Sequence, residues 1–167
     1  MAAEADYRSQ VVSLLDPQPE AALLDCGCND GAATAALARR LGTTRASGVE
    51  IVDAAAAAAS ARGIEVRKAD LAGPIPWPDG SFDVVTALEV IEHLPRPDHL
   101  GQEIFRLLKP GGYAVVATEN LASWHNIFAL LFGWQPFSLA QFSEKRAALG
   151  NPFGLDRGEN WNPASRS

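Results

Sequence analysis

The chain has 167 residues, about one domain's worth, and a single core of that size buries roughly 68–70% of the unfolded surface without help from disulfides. Apolar residues make up 47% and charged residues 20%, which excludes a disordered or collagen-like chain. Fourteen Lys and Arg against 20 Asp and Glu leave a net charge of −6. That is not the basic footprint of a phosphate-backbone binder, so no nucleic-acid partner is expected.

The acidity is uneven: residues 1–118 hold 16 acids and 10 Lys or Arg, whereas 119–167 hold four of each. The opening stretch Met1–Tyr7 carries Glu4 and Asp6 where a secretion signal would be positively charged. No window approaches the roughly 18 apolar residues of a membrane span, so the expectation is a cytoplasmic chain with no stable membrane insertion.

Residues 6–15 place Tyr7, Val11, Val12, Leu14 and Leu15 at loose helical spacing, and Pro17 and Pro19 end that helix. Ala21–Asp25 reads as a short buried strand running into the turn Cys26-Gly-Cys-Asn-Asp-Gly31. Cys26 and Cys28, two residues apart, are poorly placed to bridge each other. A second cysteine pair is missing, and His93, His99 and His125 lie far off, so no metal site is expected. Both thiols read as small buried groups in a reducing compartment. A helix follows over 32–41, then a strand over Ala46–Glu50.

Residues 52–62 include the run Ala54–Ala59; alanine's high helix propensity makes this a helix, with Asp53 as its cap and Gly63 as its stop. Ile64–Ala69 alternates as a third strand, and Pro74, Pro76, Pro78 and Gly80 mark a loop. Phe82–Leu88 is a fourth strand, 97–108 a helix with Leu100, Ile104, Leu107 and Leu108 on one face, Pro110–Gly112 a turn, and Tyr113–Thr118 a fifth strand. Strands alternating with helices predict an α/β fold, a doubly wound parallel sheet of about five strands, with ligands beyond the strands' carboxyl ends.

Those ends carry the chemistry. After the first strand, Asp25, Gly27, Asn29 and Gly31 stand at a spacing of two, with Asn29 where a third glycine would complete the pattern. Asparagine is among the side chains that best tolerate positive φ. Glu50 ends the second strand, where a carboxylate can accept ribose hydroxyls or simply be solvated. Asp70, followed by Leu71, can accept from an exocyclic amine or shape a turn. Beyond the fourth strand Glu89 and His93 are four apart and are weak candidates for acid–base work, or a structural pair. A dinucleotide fingerprint would want glycine at 27, 29 and 32 but finds it only at 27, which disfavours a nicotinamide-dependent oxidoreductase.

Six segments then occur in register: Leu24–Gly31, Gly48-Val-Glu50, Ala69-Asp-Leu71, Gly80–Val85, Glu89–Leu94 and Leu107–Tyr113. Together they resemble a class I S-adenosylmethionine-dependent methyltransferase of the small-molecule type, with a Rossmann-like fold. The resemblance implies S-adenosyl-L-methionine as cofactor, held by Asp25, Gly27, Cys28, Asn29, Gly31, Glu50, Ile51, Asp70, Leu71 and Glu89. It implies an enzyme that methylates a small-molecule or lipid-like acceptor; a non-catalytic domain of the same fold is the alternative.

The family's sixth and seventh strands are not evident: 122–132 and 139–149 read as helical, and 150–167 as a tail rich in Gly, Asn, Pro, Arg and Ser. The expected organisation is therefore a methyltransferase domain over 1–149 that stops early, followed by the tail. The fifth strand would be an open edge, covered by Trp124–Phe142 or by a second copy in a homodimer.

Overall fold

The computed structural model describes residues 11–118. Helical candidates 122–132 and 139–149, the tail from 150 and the cover Trp124–Phe142 lie outside that range. So does most of the first helix, of which residues 11–13 are helical and Val11 and Leu15 buried.

Five strands follow in chain order: β1 (Leu23–Cys26), β2 (Ala46–Glu50), β3 (Glu65–Lys68), β4 (Phe82–Leu88) and β5 (Leu108–Ala117). All pair in parallel in the order β3-β2-β1-β4-β5. The doubly wound parallel sheet expected from the alternation is therefore present. Helix α1 (Ala32–Leu41) joins β1 to β2, α2 (Asp53–Ala61) joins β2 to β3, and α3 (Pro97–Leu107) joins β4 to β5. The strand order reverses at β1, so the connections leaving β1 and β4 run to opposite faces of the sheet, the place where such sheets form a crevice beyond the carboxyl ends.

The central strands are buried on both faces, as parallel strands must be. Leu24, Cys26, Val85 and Ala87 pack with Leu100, Ile104 and Leu107 of α3, and with Trp77 and Phe82. Leu23 and Val84 pack on the opposite face with Leu37 and Leu41 of α1 and with Val11 and Leu15. Two details differ from the sequence reading. Asp53 is not the cap of α2: Val52 holds that position, and Asp53 sits in the first turn, its carboxylate paired with Lys68 at 2.6 Å. Residues Pro110–Gly112 form a bulge inside β5 rather than a turn before it, because the register jumps from Phe82↔Leu108 to Val84↔Tyr113. Gly111 takes φ +83, and a Cβ on Gly112 would stand 2.8 Å from the Asp83 carbonyl.

The loop before β4 is fastened to α3 by one arginine. Arg106 donates to both carboxylate oxygens of Glu103 (2.9 and 2.7 Å), to Asp79 (2.8 Å) and to the carbonyls of Trp77 (2.8 Å) and Ile75 (2.9 Å). Glu103 in turn accepts the Ile75 N–H at 2.8 Å. The Arg106 hydrogen bonds hold the Glu103 carboxyl below its ordinary range against the opposing effect of burial. A group with a depressed folded pKa contributes stability above its ordinary value and loses it as pH falls through the folded one.

Arg106→Ala strands a buried carboxylate and should lower unfolding free energy by about 2 kcal/mol at neutral pH, measured by urea denaturation. The gap between variant and wild type should narrow as pH falls below the ordinary Glu value of 4.5.

Candidate functional site

At the carboxyl ends of β1, β2 and β3 lies a hollow of about 120 Å³, lined by Gly27, Val49, Glu50, Ile51, Ala69, Asp70, Leu71 and Leu94. Five of these, Gly27, Glu50, Ile51, Asp70 and Leu71, are residues singled out in the sequence. Val49, Ala69 and Leu94 were not. The first two follow from their position beside Glu50 and Asp70, and Leu94 ends the Glu89–Leu94 segment beyond β4, in which only Glu89 and His93 were given a role. The lining pairs two carboxylates with an apolar slot, the combination that receives a flat ring carrying polar hydroxyls.

Gly27 lets the turn lie close against the segment that follows β4. Its φ is +79, and a Cβ there would stand 2.7 Å from the Val90 side chain. Its N–H and that of Cys28 both donate to the Val49 carbonyl, at 2.9 and 3.0 Å, which ties the turn to the end of β2. Asn29 takes φ 48, so it occupies the left-handed conformation of the glycine it replaces. Gly31, with φ +79, is pressed against α2: a Cβ there would lie 2.9 Å from the Ala59 Cα.

Glu50 is buried, and its carboxylate is engaged by backbone. One oxygen accepts the N–H groups of Ile51 and Val52, each at 2.8 Å, and the other accepts the Asn29 N–H at 2.9 Å. Glu50 therefore fixes Ile51 and Val52, the two residues just ahead of α2, and also grips the glycine turn; no side chain caps α2 itself. A carboxylate offers about four acceptor positions, so about one remains. Asp70 accepts the Ala72 N–H at 2.9 Å, shaping the turn at the rim.

Other expected residues lie around the hollow rather than in its wall. Asp25 sits at the end of β1, 3% exposed. It accepts from the Thr34 hydroxyl at 2.5 Å and the Thr86 hydroxyl at 2.7 Å, joining β1, α1 and β4. Burial pushes its carboxyl up, and the two hydroxyls only partly oppose this. Cys28 points into the sheet beside Gly48, where a Cβ would meet its sulfur at 2.5 Å, and packs with Ala59 and Ile64. Burial pushes the Cys28 thiol up to about 12 and Cys26 higher still, so both are inert thiols. Glu89 stands exposed at the end of β4 with φ 54, its N–H bonded to the Ala117 carbonyl at 2.8 Å. His93 is exposed in the 3₁₀ turn Ile91–His93.

The methyltransferase domain family matches residues 24–116, more than half of the chain and the segment that builds the sheet and the hollow. The chain belongs to the methyltransferase domain family. A ubiquinone biosynthesis O-methyltransferase of Pseudomonas fluorescens (strain Pf-5) is 32% identical over 115 residues, which cover 65% of this chain and 49% of that protein. Its counterpart in Pseudomonas syringae pv. tomato is 32% identical over 118 residues with the same coverage. Among solved structures, a SAM-dependent methyltransferase of Thermotoga maritima superposes with a TM-score of 0.59 at 27% identity, over 74% of this chain and 56% of that one. This methyltransferase domain spans about half the length of the curated relatives it matches.

Gly27 and Gly31 differ in what a side chain would strike, and their alanine variants should separate accordingly. Both incur roughly 1–2 kcal/mol for a left-handed alanine. Gly31→Ala also collides with helix backbone, so it should lose about 1–3 kcal/mol more than Gly27→Ala, whose clash is with a movable valine tip. Thermal unfolding of the two variants side by side measures the difference.

Proposed function

We propose that this chain binds S-adenosyl-L-methionine in the hollow between Glu50 and Leu94 and transfers its methyl group to a small-molecule or lipid-like acceptor. The observation that carries the reading is the convergence of Gly27, Glu50 and Asp70, from three separate strand ends, on one apolar slot. Nothing in that slot needs displacing: the glycine leaves room, the apolar side chains suit a purine face, and a carboxylate stands at each rim.

The bound cofactor supplies a sulfonium-activated methyl group that is already electrophilic. The protein's part is binding, orientation and exclusion of water, which suffice for an in-line displacement. Glu50 accepts a ribose hydroxyl at its remaining position, on the oxygen that also takes the Asn29 N–H. Asp70 accepts from the exocyclic amine, with Leu71 and Leu94 against the ring. Cys28 and Asn29 hold the turn in shape rather than contact the ligand through their side chains.

The Pseudomonas relatives are named O-methyltransferases of ubiquinone biosynthesis, which favours a hydroxyl oxygen as the accepting atom here. Such an oxygen must lose a proton, and Glu89 and His93, at the end of β4, are the side chains we assign to the acceptor side. Two further readings belong to this proposal. The outer edge of β5 has no neighbouring strand among the described residues and is the surface we assign to a second copy. Two buried, unpaired thiols suit the cytoplasm. No helix among the described residues is long and apolar enough to cross a membrane.

Calorimetric titration with S-adenosylhomocysteine tests the reading. The wild-type chain should bind, and Glu50→Gln, which removes the charge while keeping one acceptor oxygen, should bind about tenfold more weakly, near 1.4 kcal/mol. Equal affinity in the two proteins contradicts the ribose assignment.

A further inference from the structure

The turn that faces the hollow is held from two sides, and only one of them is the ligand side. Asn29 and Gly31 are both left-handed, on either side of Asp30. A stretch with this backbone persists only when its surroundings hold it there. On the inner side Glu50 takes the Asn29 N–H. On the outer side Arg62, the residue that ends α2, reaches back across the turn. Its Nε donates to the Asp30 carbonyl at 2.8 Å, and its Nη2 donates to the Asp30 carboxylate at 3.1 Å. The other Asp30 oxygen accepts the Ala32 N–H at 3.0 Å, at the start of α1. Gly31 rests on Ala59, one turn before Arg62.

We propose that Arg62 is a positioning residue: from outside the hollow it fixes the 29–31 turn, and so sets how tightly that turn and Glu50 hold the cofactor. The proposal rests on the cofactor reading above. Both side chains of the pair are 48% exposed, and an ion pair that open adds little to global stability. What distinguishes it is the fork. One guanidinium fixes both a backbone carbonyl and a side chain of the same residue, a constraint on the turn that a point charge does not impose. With Arg62 removed, the turn loses both guanidinium contacts to Asp30, and the Asn29 N–H is free to drift from the Glu50 oxygen that accepts the ribose hydroxyl.

The test uses the full chain as wild type, Arg62→Gln, Asp30→Ala and the double variant. S-adenosylhomocysteine is titrated by calorimetry, thermal midpoints are recorded without ligand, and backbone amide exchange is followed over residues 28–32. Arg62→Gln should weaken binding about fivefold, as loss of one charge-assisted contact implies. It should speed exchange at 29–32 and leave the ligand-free midpoint nearly unchanged. Asp30→Ala should weaken binding comparably, and the double variant should be no worse than the stronger single. Wild-type affinity in Arg62→Gln, or single effects that add in full, overturns the proposal while leaving the cofactor reading standing. A midpoint that falls with no change in affinity makes Arg62 a purely structural staple and also overturns it. Failure of the wild type to bind S-adenosylhomocysteine overturns both.

Discussion

A buried carboxylate at the end of β2 carries more of this structure than its size suggests. Glu50 holds three backbone N–H groups: two belong to Ile51 and Val52, just ahead of α2, and the third to the turn after β1. Two segments distant in sequence, the end of β2 and the turn after β1, are therefore registered on one charge. Charged groups that leave water need such partners, since an unpaired buried carboxylate is expensive. The same requirement makes the site. Among the described residues, the oxygens that organise this backbone are, with Asp70, the charged acceptors in the hollow's wall, so whatever binds there meets a receptor already shaped by its own backbone.

The other buried acids show how much depends on what surrounds a charge. Asp25 has two hydroxyls and no cation, and burial raises its carboxyl. Glu103 has Arg106, and its carboxyl is lowered. The linkage runs in opposite directions. Asp25 disfavours the folded state as pH rises through its raised range, while Glu103 supports it at every pH above the carboxylate range. The two sit at different places for a reason that the topology supplies. Asp25 lies under the turn, at the junction of β1, β4 and α1, where it positions the first residues of the site. Glu103 and Arg106 fasten a proline-rich loop on the far side of α3.

Much of this was legible before any coordinates. Strands β1, β2 and β4 and helices α1 and α2 follow from runs of apolar or alanine residues bounded by glycine and proline. The strand-end residues Gly27, Glu50, Asp70 and Leu71 then fall together once the sheet is parallel, because a parallel sheet puts all its carboxyl ends on one edge. What escaped depends on contacts between distant segments. Leu94 enters the hollow from a connection whose path no local pattern fixes. Glu50's hold on Ile51, Val52 and the turn has no local signal, and Asp53, a good cap residue by type, pairs with Lys68 instead. The Arg106 network looks, in sequence, like an ordinary pair three residues apart on a helix face. The bulge at Pro110–Gly112 looks like a turn until β4 shows where the pairing resumes.

The central claim is that three strand ends form one nucleoside site, and amide chemical shifts report it most directly. On addition of S-adenosylhomocysteine to isotope-labelled chain, perturbations should concentrate at 27–31, 49–52, 69–72 and 94. Shifts confined to the β5 side of the sheet, or to only one of those four segments, would contradict the claim.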